Sequence, residues 1–281
     1  GMGETILNVK GEANLLEAIK KCWASLFTAR SIFYRVENKI PHEKVKISVI
    51  VQKMVQSEVS GVIFSIDPVT NEKDKIVIES AWGLGEMIVQ GSVTPDRYIV
   101  QKETFKILSK EISEQSVQLI KAGTETKVEQ VPKKIRDRQK ISDEDIVKLA
   151  KYGDRLQKHY YFPQDIEWAK EKGKIYIVQT RPVTALGAVK KETKDNRNAG
   201  LTPVLTGAPA SPGIGSGEVK IIRKNNEISR IKDGDVLVAK MTSPDYVPAM
   251  KKASAIITDE GGLTSHAAIV SRELGIHCVV G

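Results

Sequence analysis

The sequence predicts a mixed α/β (α+β) chain in two parts, and three observations carry that reading. Short segments of β-type alternation are separated by turn chemistry, two amphipathic helical stripes lie among them, and all periodicity stops after Pro182 in a polar stretch. At 281 residues the chain is long enough to bury a core and to hold two domains. Its 41% hydrophobic and 28% charged residues are those of an ordinary soluble globular protein. No apolar run approaches the roughly 20 residues of a membrane helix. No basic and then apolar signal pattern opens the chain, so a cytoplasmic protein without membrane contact is expected.

The elements follow in order. Leu15, Ile19, Cys22, Trp23, Leu26, Phe27 and Phe33 recur at three- and four-residue intervals and predict one helix over 13–35, with Pro41 beyond its end. Val45, Ile47, Val49 and Val51 alternate with Lys46, Ser48 and Ile50, a strand pattern. Further strands are predicted at 59–66, 75–81, 97–101 and 105–112, separated by turns such as DPVTNEKD at 67–74. Ser142 is placed to cap a second helix running through Ile146, Leu149, Ala150 and Leu156.

A hairpin, DIEWAKEKGKIYIVQTRP, occupies 165–182. A turn centred on Lys172 pairs Asp165 with Gln179 and Glu167 with Ile177, and strand alternation then puts Asp165, Glu167, Gln179 and Arg181 on one face. Two carboxylates, an amide and a guanidinium make a poor core. They suit Mg²⁺ and a polyphosphate, because hard cations take carboxylate oxygens and arginine grips phosphate through a rigid fork. A solvent-facing hairpin with a polar cross-strand pair fits the same residues.

The polar stretch ALGAVKKETKDNRNAGLTP at 185–203 reads as a linker, placed at 188–205 between a first domain, 1–187, and a second, 206–281. The second part opens in glycine-rich turns at 207–222. Strands at 236–240 and 255–259 flank TSPDYVPAMKKA, where Thr242 or Ser243 can cap a helix with Pro244 at its first position. Residues 261–276 then read GGLTSHAAIVSRELGI. Thr264 or Ser265 can cap a helix that stops at Gly275, so His266 stands in the first turn among unpaired N–H groups. A phosphate there would gain about 0.3–1 kcal/mol from the helix dipole, and up to ~2 when partly buried. A capping turn with a solvent-facing histidine fits equally.

The formal charge of +8 invites phosphate-rich partners. The basic residues are dispersed, however, and acidic ones interrupt the mild concentrations at 127–140 and 189–197. With only 5% aromatics no stacking platform is visible, and no nucleic-acid partner is expected. Cys22 and Cys278 lie far apart without CxxC spacing, which suggests neither a disulfide framework nor a zinc site.

Taken together, the segments VIVQKMV (49–55), SGVIFSIDPVT (60–70), ESAWGLGE (79–86), GSVTPDRY (91–98), QDIEWA (164–169), IVQTRPVT (177–184), GAPASPGIGSGEV (207–219) and ITDEGGLTSHAAIVSRELGI (257–276) resemble the phosphoenolpyruvate synthase and pyruvate phosphate dikinase family. They fall in the family's order. The resemblance implies the C-terminal part of an ATP-grasp domain, mainly its second lobe, followed by a swivelling β/β/α phosphohistidine domain. It implies that His266 takes the β-phosphate of ATP, that water cuts the pyrophosphoryl-histidine to phosphohistidine, and that the domain swings to a barrel binding pyruvate and phosphoenolpyruvate. A neutral imidazole suits that two-step route as nucleophile and carrier.

The same resemblance implies ATP as substrate and Mg²⁺ as cofactor, with Glu167 and Asp165 as metal ligands and Gln179 and Arg181 as phosphate and metal-shell contacts. Gln52, Lys53, Met54 and Val55 match a hinge whose backbone meets adenine, and Glu79 with the turn at 83–85 lines the same cleft. Thr264 matches a position that a regulatory protein phosphorylates in bacterial and plant relatives, beside its reading as an N-cap.

Family members are far longer. Gly3, Glu4 and Thr5 stand at the remnant of the family's GQxxT segment. The first ATP-grasp lobe, the barrel and the final strands of the swivelling domain lie outside these 281 residues. His277 stands where proline is expected. The expectation is therefore a fragment of a phosphoenolpyruvate synthase-type enzyme, which converts ATP, pyruvate and water to AMP, phosphoenolpyruvate and phosphate. The missing lobe and barrel could lie on another chain. The alternatives are a non-catalytic phosphocarrier or assembly subunit of a split enzyme, and pyruvate phosphate dikinase. An antibiotic phosphotransferase of the same ancestry usually places its acceptor domain between the two parts, and the short linker leaves no room for one.

Overall fold

The computed structural model describes residues 3–37, 39–123, 125–183 and 203–281, so the predicted linker falls mostly outside the described residues. The chain forms two compact units, Gly1–Gln56 with Ile120–Val128, and Ser57–Leu119 with Glu129–Gly281.

In the first unit the stripe over 13–35 is not one helix. Helix α1 (Glu12–Ala24) gives way to a 3-10 turn at Ser25–Phe27, and α2 (Ala29–Glu37) follows. Hydroxyls cause the break. Ser25 Oγ donates to Cys22 O at 2.6 Å, Thr28 Oγ1 donates to Ser25 O at 2.9 Å, and Ser31 Oγ donates to the same carbonyl at 2.8 Å. Thr28, extended at ψ 149°, in turn accepts the Ser31 N–H at 3.3 Å, so side chains replace one turn of backbone bonds and restart the helix. Cys22 is buried but Trp23, Phe27 and Phe33 are exposed. The alternating segment 45–51 is not a strand either. Val45, Ile47 and Val49 are half-buried, yet no ladder forms along them among the described residues. Alternation describes a side-chain pattern, whereas a strand is completed by a partner's backbone.

The second unit holds two sheets. The first contains β1 (Val59–Phe64), β2 (Lys75–Trp82), β3 (Asp96–Gln101), β4 (Ile107–Glu111), β7 (Gln164–Glu171) and β8 (Lys174–Pro182), antiparallel in the order β4-β3-β2-β1-β7-β8. Short α3 (Glu86–Gln90) follows β2, and a two-stranded ribbon, β5 (Val117–Ala122) and β6 (Glu125–Gln130), follows β4 in the chain, with its residues 120–128 counted in the first unit. Helix α4 (Asp143–Tyr160) starts where the sequence places it, with Ser142 Oγ accepting the Asp145 N–H at 3.3 Å. Its Ile146, Leu149 and Ala150 pack on Ile63, Ile76, Ile78, Ile166 and Trp168 of the sheet.

The second sheet contains β9 (Ala208–Ser211), β10 (Val219–Ile222), β11 (Val236–Ala239), β12 (Ala255–Thr258) and β13 (His277–Val280), in the order β10-β11-β12-β13-β9. Strands β10 to β13 run parallel and β9 runs antiparallel to β13. Helix α5 (Val247–Met250) lies between β11 and β12, and α6 (His266–Leu274) between β12 and β13. Ser243 stands at the N-cap ahead of α5 without a side-chain bond, so the capping role expected there is not taken up. Val62, Phe64 and Val77 of the first sheet share one core with Leu237 of the second sheet, Met250 of α5, Leu263 of the loop before α6 and Ala267 of α6. Thus one face of the six-stranded sheet carries α4 and the other meets the α6 layer. No helix of the described residues is long and apolar enough to cross a membrane.

Candidate active site

Lys172 (φ 49°) and Gly173 (φ 76°) form the two-residue turn of the β7–β8 hairpin, a left-handed pair that suits the twist of the flanking strands. Glu171 therefore faces Lys174, and a bulge between Glu167 and Trp168 shifts the register once more. Asp165 pairs with Arg181 and Glu167 with Gln179, two residues from the expected register. The face is unchanged, because a slip of two preserves the parity of alternation. Asp165, Glu167, Gln179 and Arg181 do share one side.

The Arg181 guanidinium donates to Asp165 Oδ2 through Nε at 2.9 Å and Nη2 at 2.8 Å. Burial pushes the Asp165 carboxyl up, partly offset by Arg181. Glu167 is also pushed up, by burial and then by the Asp165 charge. Such a pair of carboxylates is one that a cation would relieve. Val62 of β1 pairs with Glu167 on one side and Glu79 on the other, so these carboxylates leave the same face two strand spacings apart, about 10 Å.

Glu79 is 1% exposed and both of its oxygens are taken. The Leu263 N–H donates to Oε1 at 2.7 Å and the Thr264 hydroxyl to Oε2 at 3.1 Å. Burial raises this carboxyl, opposed by those two bonds and by Arg272. Arg272 of α6 donates from Nη2 to Leu263 O at 2.7 Å and from Nη1 to Ala210 O at 3.1 Å. The Leu263 residue is thus held at its N–H by Glu79 and at its C=O by Arg272. A Cβ on Gly262 would lie 2.6 Å from Glu79 Oε1 and 2.6 Å from Pro95 Cγ, so the loop reaches this carboxylate only as glycine.

His266 is the first residue of α6. The cap is Ser265, whose Oγ accepts the Ala268 N–H at 3.4 Å, and Gly275 at φ 68° closes the other end. Thr264 is accordingly not the cap. The residue is 3% exposed, and its hydroxyl serves Glu79 instead. The half-buried imidazole has Nδ1 2.8 Å from Thr242 Oγ1. His277, where proline is expected, opens β13 and donates its Nδ1–H to Pro212 O at 2.8 Å.

Thr5 and the segment 52–55 belong to the first unit, and the other predicted site residues to the second. Thr5, Gln52 and Lys53 are exposed, and Met54 and Val55 half-buried. Sequence reasoning missed Thr242 and Arg272. Thr242 is 24 residues from His266 and reads as a cap, and Arg272 reads as an ordinary last-turn cation.

Residues 1–200 match the family model for the pyruvate phosphate dikinase AMP/ATP-binding domain. The chain belongs to this family. Residues 231–281, which include β11 to β13 and His266, match the mobile domain of PEP-utilising enzymes. The phosphoenolpyruvate synthase of Pyrococcus furiosus is 50% identical over 292 residues, covering all of this chain and 36% of that protein. Proteins named "Probable phosphoenolpyruvate synthase" from Archaeoglobus fulgidus and Methanothermobacter thermautotrophicus are 53% and 50% identical over the whole chain, which covers 38% and 40% of them. The chain thus spans well under half the length of these relatives. The two matches account for an ATP-grasp-like region and a mobile-domain segment in one polypeptide.

Proposed function

We propose that this chain is the part of a phosphoenolpyruvate synthase that joins a nucleotide-binding lobe to a phosphohistidine carrier, with the domain boundaries near 187 and 206. The parent reaction takes ATP, pyruvate and water to AMP, phosphoenolpyruvate and phosphate. One observation carries the reading: the loop that ends in His266 is held by Glu79 on the same sheet face that bears Asp165, Glu167, Gln179 and Arg181.

In the tautomer that donates Nδ1–H to the Thr242 hydroxyl 2.8 Å away, the ring's lone pair resides on Nε2 and is the nucleophile of this proposal. Attack on the β-phosphorus forms the N–P bond and breaks the bond to the α-phosphate oxygen, releasing AMP, and water then cleaves the pyrophosphoryl-histidine to phosphohistidine and phosphate. The first turn of α6 offers N–H donors to the incoming anion. Gln179 and Arg181 contact phosphates, Gln52, Lys53, Met54 and Val55 meet adenine, and Thr5 borders that site.

Glu167 and Asp165 would hold Mg²⁺, which neutralises polyphosphate charge. No group of three or more metal-ligating side chains occurs among the described residues, so phosphate oxygens and water would complete the shell, as is usual for this ion. Thr264 is the regulatory position. A phosphate on it would face the Glu79 carboxylate at hydrogen-bond range and is incompatible with the docked loop.

The test is a chimaera in which these residues replace the matching segment of the Pyrococcus furiosus relative. ATP labelled on its β-phosphate should label it through an acid-labile, alkali-stable bond. His266→Asn should abolish labelling, and Glu167→Gln or Arg181→Ala should slow it about 100-fold or more. Label retained in His266→Asn rejects the proposal.

A further inference from the structure

We infer that Glu79 is a positioning residue, a latch that holds the His266 loop on the nucleotide-lobe sheet. The inference rests on the reading of His266 as phosphoryl acceptor but is carried by a separate geometry.

Glu79 sits in the middle of β2, where its neighbours along the strand face are apolar. An isolated carboxylate is a poor choice for such a place, since a buried acid needs donors to replace water. Its own sheet supplies no side-chain donor among the bonds described. The two bonds to its carboxylate come from residues 184 and 185 positions away in sequence, both in the loop before α6. The loop is shaped to meet it. Gly262 leaves space at Oε1, Leu263 turns its N–H inward, and Thr264 gives its hydroxyl to Glu79 while Ser265 takes over the cap. Arg272, reaching from α6 to the Leu263 carbonyl, fixes the peptide from the carrier side. His266 lies three positions beyond Leu263, so fixing Leu263 and Thr264 fixes where the first turn of α6, and with it the imidazole, stands relative to the sheet.

The groups facing Glu79 are therefore one backbone N–H, one hydroxyl and, further off, the Arg272 and Arg97 cations. All the direct donors leave if the α6 layer leaves. The latch engages only in the arrangement in which the loop before α6 lies on β2, and it has no part in any other station of the carrier.

Two experiments test this. In the 281-residue chain, amide hydrogen exchange and diethylpyrocarbonate modification are followed at residues 261–266. Glu79→Ala should speed exchange at Leu263 and modification of His266 at least about tenfold, with α4 and β1 amides unchanged, and Glu79→Gln should restore most of the protection because its amide oxygen still accepts the Leu263 N–H. If Glu79→Ala opens the whole domain, Thr264→Val decides, since it deletes one bond from the loop side. Unchanged loop exchange and His266 modification in the variant that stays folded overturn the inference.

In the chimaera, Glu79→Ala should slow labelling of His266 from ATP about 100-fold, the scale of a misplacement near 1 Å, and leave labelling from phosphoenolpyruvate unchanged. A merely structural role would slow both, and that result also overturns the inference. If no label reaches His266 from either donor in the parent chimaera while loop protection still depends on Glu79, the phosphoryl reading fails and the latch stands.

Discussion

Two carboxylates on adjacent strands are almost wholly removed from water, and they are held in opposite ways. Asp96 of β3 pairs with Ser80 and Glu79 of β2 with Arg97, so the two acids occupy neighbouring rungs on opposite faces. Asp96 accepts from the Tyr98 hydroxyl at 2.7 Å, from the Ser113 and Lys140 N–H groups at 3.0 Å each, and from the fully buried Lys140 ammonium. Every partner belongs to the chain that builds the first sheet and the approach to α4. Among the described residues Glu79 has no such counter-charge in contact, and its two partners come from the loop before α6. Burial is equal, but one acid has a partner fixed with its own sheet and the other has a partner on a different layer. The first is architecture. The second is a contact whose existence depends on how two layers meet.

The largest effect expected is at the architectural acid. Lys140→Met leaves Asp96 buried without its cation and should cost about 3–5 kcal/mol in urea unfolding. Adding Asp96→Asn should recover much of that, because the pair is then neutral. A loss below about 1 kcal/mol would break the comparison.

A smaller effect, with a pH signature, is expected at Glu79. Its carboxyl is raised by burial in the folded chain, so the folded state binds that proton more tightly than the unfolded state. The resulting stabilisation is fully present below the ordinary carboxyl value and is lost as pH rises through the raised one. Glu79→Gln removes this dependence. The unfolding free energy of wild type relative to Glu79→Gln should therefore fall with rising pH, as followed by urea unfolding across the carboxyl range. A pH-independent difference would show that Glu79 behaves like Asp96.

The smallest effect sharpens the contrast between layers. Ser265→Ala and Ser142→Ala each remove a helix cap and should each cost about 1 kcal/mol. Hydrogen exchange should place the first loss in α6 and the His266 loop and the second in α4. Loss spreading from Ser265 to α4 would mean that the two layers open together.

Much of the first sheet was legible because its signals are local. The strands at 59–66, 75–81, 97–101 and 105–112 appear as β1 to β4, and Ser142 caps α4 as its hydroxyl and following acids suggest. The helix behind His266 was legible for the same reason, through Ser265 and Gly275. The hairpin was legible in its face but not its register, since a turn one position away and a bulge together moved the pairing by two. The first unit shows the opposite. Ser25, Thr28 and Ser31 broke a helix that periodicity continues, and residues 45–51 kept a strand's alternation without a ladder.

By itself the sequence determined where the candidate site residues stand: a histidine in the first turn of a capped helix, and two acids, an amide and an arginine on one face of a hairpin. Those follow from period and cap, which act over a few residues. Only the tertiary structure decided that Thr264 serves Glu79 and not the helix, that Thr242 meets the imidazole, and that Arg272 grips Leu263. Thr242 and Glu79 lie 24 and 185 positions from their partners, while Arg272 lies 9 from Leu263 on the next element, and no local preference encodes any of the three contacts. They arise when desolvation forces each buried donor and acceptor to find whatever partner the packed layers bring within reach.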